Sequence, residues 1–412
     1  MKILKDLDAI LITNPTNIRY LTGFVGAAPE EREAYCLIAQ ESIYLFTNAL
    51  YLEQSKNLKP PILRQRRTSL WLANLKQKSM RIIKISREEP FAKKLKDALA
   101  PVIPAYAEIQ RKNKLDPRVK PEDDTIVRLS FEENNLTVAE YEKLKKELPG
   151  ITLVPTRGTI EELRVIKRED EIVKIRAAAT ITDQCFDFIL GKLKESVTES
   201  QIAWEIESFI KTHGAGLAFS PIVAFGPNSS QPHYLPKSQP QGQALRLRPP
   251  NIILLDFGAR VNGYCSDMTR VVFIGKPKAE WVKSYNTVLN AQTAALEYLA
   301  SRPGLEATGE FADRVARDIV EKAGFPTYPH SLGHGVGLDI HEAPRLRANP
   351  SINSGQTIKP GPSETLRAGM VVTVEPGVYV EGQYGIRIED LILLKSDGIE
   401  VLSTSNKNVI VL

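Results

Sequence analysis

Four carboxylates interrupt runs of strand-forming residues that should otherwise be buried, and no other feature of this 412-residue sequence restricts its fold so sharply. In NIILLDFGARVNGYCSDMTRVVF, Asn262-Gly263 is the strongest short-range hairpin signal, because a two-residue type I′ turn needs positive φ at both positions. Closing the chain there pairs Val261 with Tyr264 and sets Asp267 opposite Gly258. Asp256 then lies two residues further along the same strand, on the same face. The two aspartates become diagonal neighbours, roughly 7–8 Å apart at the backbone. Uncompensated anions among apolar strands are costly, so a shared cation, or a pair of cations, is the economical explanation. Either aspartate alone reads as an edge or capping carboxylate; the diagonal pair does not.

MVVTVEPGVYVEGQYGIRIEDLILL has the same texture. A turn centred near Gly382 sets Glu375 opposite Glu389, and Arg387 shares a face with Glu389. Alone, Glu389 reads as half of an ion pair with Arg387, but two acidic hairpins in one chain weaken that reading. Between them lies HSLGHGVGLDIHEAP with His330, His334 and His341, three of only five histidines. His233 in NSSQPHY is a fourth of interest, and His213 in KTHGAG reads as a surface or loop residue. Glycines 333, 335 and 337 allow backbone to approach a ligand or another strand closely. They match neither a dinucleotide fingerprint nor a P-loop, and His341-Glu342 begins no zincin motif, since Arg345 stands where the second histidine belongs. Two Asp, two Glu and at least one His exceed the four ligands of a structural zinc and lack its thiolates. They suit a pair of divalent ions such as Mn²⁺, Co²⁺ or Fe²⁺, with Zn²⁺ also admitted, and imply a dinuclear hydrolase.

The remainder of the chain bounds this reading. A length of 412 residues predicts two or three domains. Strand-like runs (AILITN, YCLIAQ, SIYLFTN, IIKIS) alternate with helical ones (AKKLKDALA, AEYEKLKKELP) over the first ~155 residues, as an α/β layer requires. The texture then changes to a long helical periodicity from Ile160 to Lys194, with Ile172, Ile175, Ala179 and Phe186 on one face. Domains over 1–155 and 156–412 are expected. Arg111–Asp124 reads as a surface insertion and Asn349–Thr365 as a polar loop. The 54 basic against 49 acidic residues give a net charge of +5, short of the clustered field of a nucleic-acid binder. No apolar stretch approaches the ~20 residues of a membrane helix, and the amino terminus lacks a signal-peptide core. Three cysteines without a CxxC pair predict reduced thiols; a cytoplasmic location follows.

The ordered segments LLDFGARVNGYCSDMTR, HSLGHGVGLDIHEAP, VEPGVYV and GIRIED resemble the metallopeptidases of the pita-bread (creatinase/methionine aminopeptidase) fold, in the branch containing Xaa-Pro aminopeptidase and prolidase. More loosely, NPTNIRYLTGF is similar to that family's amino-terminal domain. The resemblance implies an α/β (α+β) chain, with a creatinase-like α/β domain followed by a pita-bread catalytic domain. It implies that Asp267 and Glu389 bridge two metals, manganese foremost, that Asp256 completes one, and that His334 and Glu375 complete the other. Glu375 also resembles the group that takes the proton from the metal-bridging water. His233 and His341 match residues that contact the scissile amide and its developing oxyanion, and His330, Tyr379 and Arg387 match residues that order substrate or ligands. Proline in the second position of the substrate rests on the resemblance alone, as does a homodimer or higher homo-oligomer.

The leading expectation is a metal-dependent Xaa-Pro aminopeptidase, with an Xaa-Pro dipeptidase next. A creatinase-like C–N hydrolase is disfavoured by the intact five ligands. The non-enzyme alternative is an inactive pita-bread binding module, which would typically have lost a ligand.

Overall fold

The apolar runs of the amino-terminal third become a six-stranded mixed sheet with helices packed on it. In the computed structural model, residues 8–27, 32–39, 42–58, 80–100, 127–235, 246–302, 307–347 and 365–412 are described. The Arg111–Asp124 segment lies outside them, as does all of Asn349–Thr365 except Thr365. The chain divides into two units, Met1–Leu163 and Arg164–Leu412. In the first, strands β1 (Ala9–Ile12), β2 (Ala34–Ala39), β3 (Ser42–Thr47), β4 (Met80–Lys84), β5 (Val127–Glu132) and β6 (Ile151–Thr156) are ordered β4-β3-β2-β1-β5-β6. Helix α1 (Pro15–Thr22) starts at Asn14, whose side chain accepts from the Thr16 and Asn17 amides, with proline at its first position. Helices α2 (Phe91–Leu99) and α3 (Val138–Glu147) supply Leu95, Leu99 and Leu144 to a core shared with Leu11, Leu37 and Phe46 of the sheet.

In the second unit one motif, two helices followed by a long hairpin, occurs twice. The first copy comprises α4 (Glu169–Leu190), α5 (Glu199–Thr212), β7 (Gly216–Leu217), β8 (Ile222–Phe225), β9 (Asn251–Phe257), β10 (Ala259–Val261), β11 (Tyr264–Cys265) and β12 (Met268–Ile274). Its core joins Ile189 and Ile206 to Leu255, Phe257 and Val272. The second comprises α6 (Ala279–Ser301), α7 (Gly309–Lys322), β13 (Gly333–Gly335), β14 (Glu342–Leu346), β15 (Val371–Val374), β16 (Gly377–Val380), β17 (Tyr384–Arg387) and β18 (Asp390–Lys395). Its core joins Val288 and Ala316 to Val372 and Ile392. Strands β19 (Gly398–Val401) and β20 (Ile410–Val411) extend β18 and β12 respectively.

Each hairpin keeps its expected register yet is broken in the middle. Val261 pairs with Tyr264 across Asn262 (φ 49°) and Gly263 (φ 89°), and Phe257 pairs with Met268. The outer and inner segments nevertheless belong to different sheets, β20-β12-β9-β8 and β11-β10-β7. The turn signal alone predicts one continuous ladder, which the structure divides between two sheets. The strands cross too closely at the break for a side chain, because a Cβ on Gly258 would lie 1.9 Å from the Ser266 carbonyl oxygen. The second hairpin repeats the arrangement: Val374 pairs with Asp390 in one sheet and Gly377 with Arg387 in another. Asp267, Glu375 and Glu389 all stand in these breaks, and Asp256 stands one residue from one.

Candidate functional site

Both breaks open on one cavity of about 590 Å³, lined by Asp256, Asp267, Glu375 and Glu389 together with His233, His330, His334, His341 and Arg387. Among the candidate site residues, Tyr379 alone stands behind this lining, where its hydroxyl meets Arg387 and His330. Asp256, Asp267, His334, Arg387 and Glu389 are buried, Glu375 is partly so, and His233 and His341 are exposed at the cavity. His213 is exposed and stacks on Phe209, away from this group. The glycines of HSLGHGVGLDIHEAP serve strand approach: Cβ atoms on Gly333 and Gly335 would lie 2.0 and 2.1 Å from the carbonyls of Thr373 and Ala343.

The imidazole of His334 defines the centre. Its Nδ1 lies 3.1 Å from the Gly335 carbonyl and so carries the proton, leaving a lone pair on Nε2. That lone pair faces Glu375 Oε1 at 3.4 Å and Asp267 Oδ2 at 3.6 Å. One ligand atom each of Asp267, His334 and Glu389 fall within 4.8 Å of one another. Three electron-pair donors converging on one point suit a cation, and donors held about 2.0–2.2 Å from one ion sit roughly 3–3.6 Å apart. A carbonyl on the far nitrogen is the usual brace of a metal-ligating histidine.

A second set of contacts fixes the carboxylates. Arg387 reaches Asp256 Oδ2 through Nη2, the Thr269 hydroxyl through Nε at 2.9 Å, and the Tyr379 hydroxyl through Nη1 at 2.8 Å. The Thr269 hydroxyl donates a hydrogen bond to Glu389 Oε2 at 2.7 Å, and Tyr379 donates to Nε2 of His330 at 2.9 Å, whose Nδ1–H donates to the Ser331 carbonyl. Thr373 accepts from the His334 amide and donates to Glu375 Oε1 at 3.2 Å. The other oxygen of Asp256, Oδ1, is buried with no hydrogen-bond partner.

Electrostatics points the same way. Burial, reinforced by the charge of Glu389, raises the Asp267 and Glu375 carboxyls well above their ordinary values. Glu389 is pushed up to about 8 by burial and by Asp256. Burial also raises Asp256, against the pull of Arg387. Burial pushes His334 down to about 4 and His330 to about 3, so both imidazoles are neutral near pH 7. Four crowded carboxyls, one neutral imidazole and an unpartnered buried oxygen fit a pair of divalent cations, which would neutralise the crowding and take up the free lone pairs. Thr269 and Thr373 were missed in the sequence. Thr269 carries a legible signal, since the Asn262-Gly263 register sets it opposite Asp256.

Among known proteins, residues 173–396 match the model of metallopeptidase family M24, and residues 4–166 match the creatinase/prolidase N-terminal domain. The uncharacterized peptidase YqhT of Bacillus subtilis is 31% identical over 98% of this chain and 96% of its own. Among solved structures, the Xaa-Pro dipeptidase of Bacillus anthracis superposes with a TM-score of 0.77 at 30% identity, covering 98% of this chain and 95% of that one. The X-Pro aminopeptidase of Thermotoga maritima MSB8 gives 0.76 at 27% identity, covering 100% and 99%. With a peptidase model spanning more than half of it and a relative similar along nearly its whole length, the chain belongs to metallopeptidase family M24.

Proposed function

We propose that this metallopeptidase hydrolyses the peptide bond between an amino-terminal residue and a proline in the second position, as an Xaa-Pro aminopeptidase. Asp256, Asp267, His334, Glu375 and Glu389 would hold two divalent cations, manganese foremost, with Asp267 and Glu389 shared between them. Such ions, when bound, polarise the substrate carbonyl and lower the pKa of water. Glu375 takes the proton of the attacking water and hands it to the departing amine. His233 and His341, exposed at the cavity, donate to the amide and to the oxygen that becomes negative, a contribution of about 2.7–4 kcal/mol for one such donor. Arg387 and Tyr379 hold Asp256, Thr269 and His330 in place.

The observation that carries the reading is the convergence of the unprotonated His334 Nε2 with carboxylate oxygens of both hairpins. A cavity of about 590 Å³ is of ordinary size for a ligand site and admits a dipeptide or a longer peptide. The names of similar proteins, including prolidases from Pyrococcus furiosus and Pyrococcus horikoshii OT3, favour the Xaa-Pro dipeptidase reading instead. Manganese-loaded protein given Gly-Pro and a Gly-Pro-containing tripeptide side by side separates them. Cleavage of the tripeptide is expected; cleavage of Gly-Pro alone makes the enzyme a dipeptidase, and cleavage of neither leaves a binding module. We place the enzyme in the cytoplasm as a homodimer or higher homo-oligomer. In support of that compartment, Cys36, Cys185 and Cys265 are all free and buried, and no helix among the described residues is long and apolar enough to cross a membrane.

A further inference from the structure

Gln292 lies midway along α6 on the face that otherwise buries Tyr285, Val288, Ala295 and Leu299, and it is itself fully buried. A primary amide in apolar surroundings is costly unless its hydrogen bonds are made. Its Nε2 donates to the carbonyls of Val374 at 3.1 Å and Ile388 at 3.2 Å, and its Oε1 accepts from Lys407 Nζ at 3.1 Å. An ammonium has only donors, so Lys407 settles which way the amide faces: oxygen toward the lysine, both N–H groups toward the carbonyls.

Those carbonyls belong to the residues immediately before Glu375 and Glu389, on the two strands of the second hairpin at its break. At that break the neighbouring amides leave the hairpin, the Glu375 N–H for the Leu332 carbonyl at 2.7 Å and the Glu389 N–H for the Thr269 carbonyl at 3.1 Å. One side-chain amide thus spans both strands at the point where ladder hydrogen bonding between them is interrupted. Lys407 is held in turn by Asp390, the residue after Glu389, which also accepts from Arg270 Nη2 at 2.8 Å.

We propose that Gln292, oriented by Lys407, is a positioning residue that sets the separation of Glu375 and Glu389 and thereby the affinity of the site for divalent cations. The inference rests on the reading of those two glutamates as cation ligands.

The test is calorimetric titration of the full-length protein with Mn²⁺. Gln292→Met keeps the length of the side chain and removes both donors and the acceptor. Val288→Ala, one turn earlier on the same buried face, serves as the control for helix packing alone. Loss of a group that braces ligands weakens metal binding about 10–100-fold, so Q292M is expected to bind Mn²⁺ at least about tenfold more weakly than wild type. V288A is expected to keep its affinity although its thermal unfolding midpoint falls. Unchanged affinity in Q292M, or equal weakening in V288A, overturns the inference. Should Q292M fail to fold, Lys407→Met removes the orienting contact together with the ion pair to Asp390, and Asp390→Asn, which weakens that ion pair while leaving Lys407 on Gln292, is its control; weaker Mn²⁺ binding in K407M than in D390N supports the inference and equal binding in the two overturns it. A wild-type protein that takes up no Mn²⁺ overturns the cation reading of the site, an outcome separate from indifference of the variants.

Discussion

Glu375 has two tasks in the proposed chemistry, as a cation ligand and as the acceptor of a proton from water. Glutamine keeps its size but accepts no proton, so Glu375→Gln is expected to lower kcat by at least about a hundredfold. Steady-state kinetics on an X-Pro substrate checks this, and near-normal turnover removes the role. Asp267, read as shared by both cations, makes a different prediction. Asp267→Asn should reduce bound metal, measured by elemental analysis, together with activity. These residues were legible because carboxylates stood where a strand period of two demanded apolar side chains. Thr269, Thr373 and Gln292 were not read, since each is an ordinary residue whose importance lies in what it bonds to. Gln292 left one trace, a long polar amide on a buried helical face whose other polar members are the small Ser284 and Thr287.

At the scale of elements, the breaks in the two hairpins matter most. The registers followed from the turns, because a type I′ turn at Asn262-Gly263 counts outward without ambiguity. The breaks did not follow, because they depend on a crossing with another part of the chain: Gly258 carries no side chain because the Ser266 carbonyl occupies the position its Cβ would take. Gly258→Ala is therefore expected to spread the strands beside Asp267. Forcing such an overlap typically costs about 1–3 kcal/mol. The midpoint of denaturant unfolding should fall at constant slope, and the Mn²⁺ affinity should fall with it. An alanine variant with wild-type midpoint and affinity contradicts the close crossing. The helical face of Ile172, Ile175, Ala179 and Phe186 was legible in full, being set by periodicity within one element, and all four side chains are buried in α4.

For the whole molecule, the crowded carboxyls make stability depend on pH and metal together. Asp267 and Glu375 are raised well above the ordinary carboxylate range near 4, and Glu389 to about 8. Groups raised in the folded state stabilise it fully below their unfolded values, and that stabilisation is lost as pH rises through the folded ones. Below about pH 6.5 the neutral buried His330 and His334 oppose this trend, so chelator-treated protein is expected to lose thermal stability between about pH 6.5 and about pH 8, while saturating Mn²⁺ removes the decline by binding the ionised form. A midpoint that rises over this interval in chelator contradicts the assignment; differential scanning fluorimetry makes the comparison. A last consequence follows from the doubled helix–helix–hairpin motif. The first copy brings Asp256 and Asp267, the second His334, Glu375 and Glu389, so neither half owns the chemistry. A substitution that displaces one hairpin is therefore expected to need a compensating shift in its counterpart before the five groups converge again.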